Sequence, residues 1–221
     1  MTLAQRLDQI RQQIPPHVRL IAVSKQVSVD TMKEAYEAGV RDFAESRLQE
    51  ALTKQEQLKD LTDICWHFIG HLQSNKAKKV LKNFHWIHSV HNLKIAQRLN
   101  QLAAEHSLYP QVCLQVKILP DPNKYGWSAS QLLEDLPELD QCKNLKIQGL
   151  MTILPLGLSK PQVVASFKQT RDLAAHIQSQ SNLMMEQLSM GMSGDYLLAI
   201  QAGATMIRLG RIIFGERSLT G

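Results

Sequence analysis

Cysteine is scarce in this chain: Cys65, Cys113 and Cys142 are the only three among 221 residues. They show no metal-ligand spacing and cannot all pair, which argues against a disulfide framework or a cysteine-built metal centre. Such usage suits reduced thiols in a cytosol. Aromatic residues make up only 5% of the chain, and no stripe of Phe, Tyr or Trp alternates with Arg as a single-strand stacking platform requires. Nucleic acid is therefore a poor fit despite a net charge of +5. Long apolar runs are missing as well. The opening MTLAQRLDQI is interrupted by Arg6 and Asp8, unlike the core of a signal peptide, and no run reaches transmembrane length. The expectation is a cytoplasmic protein, monomeric, with no nucleic-acid or membrane partner and with any protein partner left unnamed.

What is present is enough apolar content, 44%, for one sizeable core, so residues 1–221 are expected to form a single domain. The excess of 25 Lys and Arg over 20 Asp and Glu favours anionic ligands, although Lys76, Lys78, Lys79 and Lys82 read as a solvated helix face. Short β-rich runs alternate with longer segments of helical period. Strands are expected at Arg19–Lys25, Val40–Ala44, Ile64–Ile69, Trp86–Val90, Val112–Ile118, Lys146–Ile153, Glu186–Met190 and Met206–Gly210. Helices are expected near 28–38, 45–58, 75–82, 92–107, 128–140, 160–180 and 194–202, with Ser28, Asn92, Ser128 and Ser159 as start signals. Little chain remains for a helix after the last strand. Leu3, Leu7, Ile10 and Ile14 mark residues 2–14 as an amphipathic helix that fills this gap. Alternation of this kind predicts an α/β fold, a closed (β/α)8 barrel, with an open doubly wound sheet as the weaker alternative.

In such barrels chemistry collects at the C-terminal ends of the strands. Lys25 ends the first expected strand. A lysine there becomes a nucleophile when desolvation or nearby cations lower its pKa from about 10.4, because only the neutral amine attacks an aldehyde; an ordinary surface lysine is the plainer alternative. The run LSMGMSGD at 188–195 leads into a helix whose first turn is expected to hold Asp195, with Ser193 and Gly194 at its N-terminus. That position suits a phosphate, or else it is a glycine-rich turn capped by Ser193. The last strand ends MIRLGR, placing Arg208, Gly210 and Arg211 on the same rim, where phosphate loops recur in this fold. An amine and a phosphate nest in one mouth point to a ligand with both an aldehyde and a phosphate, such as pyridoxal phosphate or a sugar phosphate. If Arg208 faces a pyridine nitrogen it donates a hydrogen bond and keeps that nitrogen unprotonated; phosphate contact or rim support are the alternatives. His67 reads as a satisfied core histidine. His85, His88 and His91, three apart, fall on alternating strand faces and carry no metal reading.

The landmarks AVSK at 22–25, FAESRLQE at 43–50, WHFIGHLQSNK at 66–76, HSV at 88–90, GLMTI at 149–153, LSMGMSGD at 188–195 and IRLGRIIFG at 207–215 together resemble the pyridoxal phosphate homeostasis proteins over nearly the whole chain. The resemblance implies a barrel like the N-terminal domain of alanine racemase, of the type III pyridoxal phosphate fold. It also implies pyridoxal 5'-phosphate held as an imine on Lys25, phosphate contacts at Ser193, Gly194 and Gly210, and Arg208 beside the pyridine nitrogen. The function implied is non-catalytic: regulation of vitamin B6 and of amino-acid and keto-acid balance. An amino-acid racemase is the alternative, but racemases like this barrel use a catalytic tyrosine from an added C-terminal domain. With the chain ending at Gly221, only a loop residue such as Tyr125 is left to replace it. A Schiff-base aldolase acting on a sugar phosphate is a further alternative. One departure stands out. Family members commonly read FGEN where this chain reads FAES, so Ser46 replaces an asparagine and shortens any contact to the cofactor ring.

Overall fold

In the computed structural model, which describes residues 1–215, eight strands pair in parallel in chain order. They are β1 (Arg19–Val23), β2 (Asp42–Glu45), β3 (Cys65–Phe68), β4 (Trp86–Val90), β5 (Gln111–Val116), β6 (Lys146–Thr152), β7 (Gln187–Ser189) and β8 (Met206–Leu209). Because β8 also pairs with β1, through Ile21 opposite Arg208, the sheet closes into a barrel. The expected closed barrel is therefore the observed fold, and the open sheet is not.

Alternation along each strand builds two cores. Ile21, Val23, Ala44, Trp86, Cys113, Met151 and Met206 turn into the barrel. Ala22, Phe43, Trp66, Ile87, Leu114, Leu150 and Ile207 turn outward into the larger cluster beneath the helices. Ala44, the alanine of FAES, is fully buried within the inner cluster. The three cysteines are free thiols, and burial, with the Asp42 carboxylate beside one of them, pushes Cys65 and Cys113 up to about 12.

The outer ring comprises α1 (Leu3–Arg11), α2 (Val29–Glu37), α3 (Leu48–Gln57), α4 (Ala77–Asn83), α5 (Leu93–Glu105), α6 (Ala129–Glu134), α7 (Leu136–Asp140), α8 (Lys160–Gln180), α9 (Tyr196–Gln201) and α10 (Arg211–Phe214). Ser28, Asn92 and Ser128 accept from the backbone N–H groups of Thr31, Ile95 and Gln131, as their capping role requires. Lys76, Lys78, Lys79 and Lys82 are all exposed.

Several boundaries depart from expectation. Strand β1 stops at Val23, and Ser24 to Val27 form a turn closed by Val27 N–H donating to the Ser24 carbonyl (2.9 Å). The segment 128–140 is two helices, because Pro137 at the start of α7 supplies no N–H to continue α6. Asp195 is the N-cap of α9 rather than part of its first turn. The helix after the last strand exists but has only four residues; α1 packs on it, with Arg6 Nε donating to the Ile213 carbonyl (2.6 Å).

Strand β6 carries an irregularity beside β5 and brings Gly149 opposite Gln187. A Cβ on Gly149 would lie 1.7 Å from the Gln187 carbonyl oxygen. Gly149→Ala is accordingly expected to cost about 3 kcal/mol or more by overpacking a rigid strand pair. Urea unfolding measures it, and a loss below about 1 kcal/mol would contradict the close β6–β7 approach.

Candidate functional site

The C-terminal rim surrounds a cavity of about 670 Å³. Lys25, Ser46, Ser193, Gly194, Arg208, Gly210 and Arg211 all line it, over apolar surface from Val23, Ile69, Met151 and Ile153. Closure of β8 on β1 is what brings the first of these residues beside the last. Tyr125 lies elsewhere: it stacks on His71 (ring centroids 3.7 Å) and lines a separate depression with His91 and Lys117.

Lys25 is half-buried and sits in the Ser24–Val27 turn, where Gln26 takes a left-handed φ of 59°. That conformation is uncommon for a side chain larger than Asn or Asp and needs support from its surroundings. A buried charge cluster supplies it. Lys54 Nζ donates to the Ser24 carbonyl (2.7 Å), to Glu45 Oε1 (2.9 Å) and to Glu50 Oε1 (2.6 Å). Ser24 Oγ donates to the same Glu45 oxygen (2.7 Å), and Gln26 N–H donates to Glu50. Both chain neighbours of Lys25 are thus tied to one ammonium and its two carboxylates. Burial pushes Glu45 up, even against Lys54. Burial pushes Glu50 the same way, but Lys54 and the Gln26 amide outweigh it and hold the carboxyl low.

Across the same rim, the N–H groups of Asp195 and Tyr196 turn back to the Met192 carbonyl (3.0 and 2.9 Å). Those of Ser193 and Gly194 precede the first helical bonds, and such amides are left for other acceptors. The same holds for Arg211 at the start of α10, where Ile213 and Phe214 N–H donate to the Gly210 carbonyl. A Cβ on Gly194 would meet nothing within 4 Å, and one on Gly210 would make only ordinary contact with Val23. Neither glycine is demanded by internal packing, so the space in front of both stays open to an anion.

Arg208 is 4% exposed. Burial draws its guanidinium down to about 10, still protonated at neutral pH. Its Nη1 donates to Ser189 Oγ (2.7 Å) and its Nη2 to the Thr152 carbonyl (2.9 Å), which fixes the guanidinium in the cavity wall. Ser189 Oγ in turn lies 2.7 Å from His88 Nδ1, His88 Nε2 lies 2.9 Å from His67 Nδ1, and His67 Nε2 lies 2.8 Å from Asp42 Oδ1. His67 is thus the satisfied core histidine expected of it. His85 accepts from Trp66 N–H, and His91 faces the Ser89 carbonyl, so the three spaced histidines do not converge.

The residues to which sequence alone gave no role are Asp42, Glu45, Glu50, Lys54, Ser189 and His88, the last weighed only as a metal ligand. A usable signal existed for Lys54, which lies between buried Ala51 and Leu58 on the inner face of α3. None existed for the pairing of His88 with Ser189, 101 residues apart.

Barrel and cavity together define a domain of the class described as "Alanine racemase, N-terminal domain", a family that matches residues 1–218. The chain is 58% identical over 204 residues to the pyridoxal phosphate homeostasis protein of Synechocystis sp., covering 92% of this chain and 94% of that one. It is 40% identical over 224 residues to the protein of the same name from Schizosaccharomyces pombe, covering 98% and 93%. PipY of Synechococcus elongatus PCC7942, solved with PLP bound, superposes with a TM-score of 0.94 at 48% identity, covering 97% of this chain and 100% of that one. This chain belongs to the pyridoxal phosphate homeostasis protein family. An alanine racemase of Clostridium difficile, at 15% identity and a TM-score of 0.81, shares the fold over 97% of this chain and 56% of its own.

Two outcomes follow from the buried charges. Lys54→Met leaves Glu45 buried without its counter-charge and is expected to cost about 3 kcal/mol or more in urea unfolding, part of which the Glu45→Gln/Lys54→Met double variant regains. An additive double variant would remove the pairing. The histidines set a pH dependence. Burial holds His67 and His88 below their ordinary value of 6.5, so below about 6.5 the unfolded chain binds protons that the folded one does not, and stability falls as pH falls. Glu45, raised by burial, acts in the opposite sense above its ordinary 4.5. The histidine contribution is isolated by His88→Asn: between pH 7.5 and pH 5 the urea midpoint of this variant is expected to fall less than that of the parent, and an equal fall would contradict a neutral His88.

Proposed function

We propose that this chain binds pyridoxal 5'-phosphate at the rim cavity as an imine on Lys25 and serves as a non-catalytic cytoplasmic carrier that limits free cofactor and influences amino-acid and keto-acid balance. The carrying observation is the meeting of a half-buried lysine, an open pair of glycines and a buried guanidinium in one cavity. The donor set fits the group. Lys25 offers the amine; the Ser193, Gly194 and Arg211 amides, with Gly210 between the rim and Val23, offer a cradle for the phosphate; Arg208 faces the ring nitrogen, and Ser46 takes the shorter, asparagine-like place at the ring edge. When bound, the cofactor supplies an electrophilic carbon and an electron sink.

The protein limits that sink. A protonated Arg208, held by Ser189 and Thr152, donates toward the ring nitrogen and gives it no proton. Tyr125, the loop tyrosine available as an opposing base, does not line the cavity. Both features favour a carrier over a racemase. Among the described residues no helix is long and apolar enough to cross a membrane, and the reading takes residues 1–221 as one cofactor-binding unit acting as a monomer.

The test is a visible spectrum of the purified protein with pyridoxal phosphate, before and after borohydride, followed by peptide mapping and by incubation with L- and D-amino acids in deuterated water. A coloured species that reduction fixes on Lys25, lost in a folded Lys25→Ala variant, is expected. Labelling of Lys124 or Lys76 would overturn the lysine assignment. Exchange at the α-carbon at about 1 s⁻¹ or faster, dependent on Lys25, would overturn the non-catalytic reading.

A further inference from the structure

The line Asp42, His67, His88, Ser189, Arg208 runs through the barrel from the first residue of β2 to the cavity wall. Each of its links has one permitted direction. Asp42 is held ionised: burial opposes this, but His67 and the Arg19 guanidinium, 3.8 Å away, outweigh it. A carboxylate only accepts, so His67 must present Nε2–H. His67 is fully buried, with Arg19 and His85 as further cationic or ionisable neighbours that oppose a charge on it. As a neutral ring it has a bare Nδ1, so His88 must present Nε2–H to it. His88, with His67, Arg208 and Arg19 around it, is likewise neutral. Its bare Nδ1 then takes the Ser189 hydroxyl proton, which leaves the Ser189 oxygen as acceptor for Arg208 Nη1–H. Every donor points away from the cavity, and the sequence of bonds ends on an anion.

We propose that Asp42, at the far end of the barrel, is a positioning residue for the cofactor: its charge fixes both histidine tautomers, so that Ser189 donates its proton to His88 and keeps its oxygen for Arg208 alone, which holds Arg208 in place beside the ring nitrogen. The proposal rests on the function given above. It differs from a structural role because a neutral group at position 42 permits the whole line to reverse. His88 Nδ1–H then donates to the Ser189 oxygen in competition with Arg208, and the Ser189 hydroxyl proton is left without an acceptor in the line. A cation held by Asp42, Cys65 and His67, whose donor atoms lie within 4.8 Å of one another, would have to break the Asp42–His67 bond beside the Arg19 guanidinium; the hydrogen-bonded line accounts for the same groups without that conflict.

Two measurements test it. In the cofactor-free protein at pH 7, nitrogen-15 shifts of labelled histidine are expected to show His67 and His88 both neutral with the proton on Nε2. An Nδ1–H tautomer or a charged ring at either position overturns the proposal without recourse to any variant. Pyridoxal phosphate is then titrated into the parent, Asp42→Asn, Ser189→Ala and the double variant. Asp42→Asn is expected to weaken binding about fivefold in the parent and to change it by less than about twofold once Ser189 is gone, since independent sites add and coupled ones do not. Unchanged affinity in Asp42→Asn, or the same loss in both backgrounds, overturns transmission through the line. Failure of the parent to bind pyridoxal phosphate would overturn the proposed function, and the cofactor role of Asp42 with it, whatever the ring tautomers show.

Discussion

The pairing of β1 with β8 is the constraint on which the site depends. Lys25 and Arg208 are separated by most of the chain, yet the parallel register that sets Ile21 beside Arg208 delivers both to one rim. Without that closure the lysine and the loops after β7 and β8 would lie at the two edges of an open sheet. Closure also converts the strand interiors into a lumen in which alternate residues meet their counterparts from distant strands. The lumen then holds both apolar filling and a line of polar side chains, and burial there draws His67, His88 and Arg208 below their ordinary values.

The polar groups are arranged in two systems that do not share members. Around Lys25, an ammonium and two carboxylates grip the backbone on either side of the lysine and support a strained residue at Gln26. Around Arg208, uncharged rings relay hydrogen bonds to a carboxylate at the opposite end. The first system orients a main-chain turn, and the second orients a side chain. Each is fully buried at its centre, where an unpaired group is costly, so each enforces one geometry.

Much of this architecture was legible beforehand. The alternation of short apolar runs with helical periods yielded the strand number, the barrel and the position of Lys25, Ser193, Gly194, Arg208, Gly210 and Arg211 at strand ends. Several expected strands run past their observed ends because an apolar run reports burial, whereas a strand ends where its hydrogen-bonded pairing ends; the second instead starts later and runs one residue further, at Asp42–Glu45 against the expected Val40–Ala44. Ser24 and Lys25 leave β1 for a turn, and Ile118, Ile153 and Met190 continue the apolar pattern beyond the ladder. Pro137 was the visible break in the 128–140 segment. The supporting groups were not legible, since Lys54 meets Ser24 across 30 positions and Arg208 meets Thr152 across 56, and spacing along a chain does not encode register between strands.

The joint between β7 and β8 is the thinnest in the ring. Its ladder registers a single residue pair, Ser189 opposite Met206. Backbone bonds cross it from Thr205 N–H to the Leu188 carbonyl (3.1 Å), Met190 N–H to the Met206 carbonyl (3.1 Å) and Arg208 N–H to the Gly191 carbonyl (3.0 Å), and side chains add to them: Thr205 Oγ1 accepts from Leu188 N–H (2.8 Å), and Arg208 Nη1 reaches Ser189 Oγ. The loops that follow these two strands carry Ser193, Gly194, Gly210 and Arg211. Under the proposed function, an anion bound by both loops would be a clasp across this seam, and its binding free energy would add to the stability of the folded barrel.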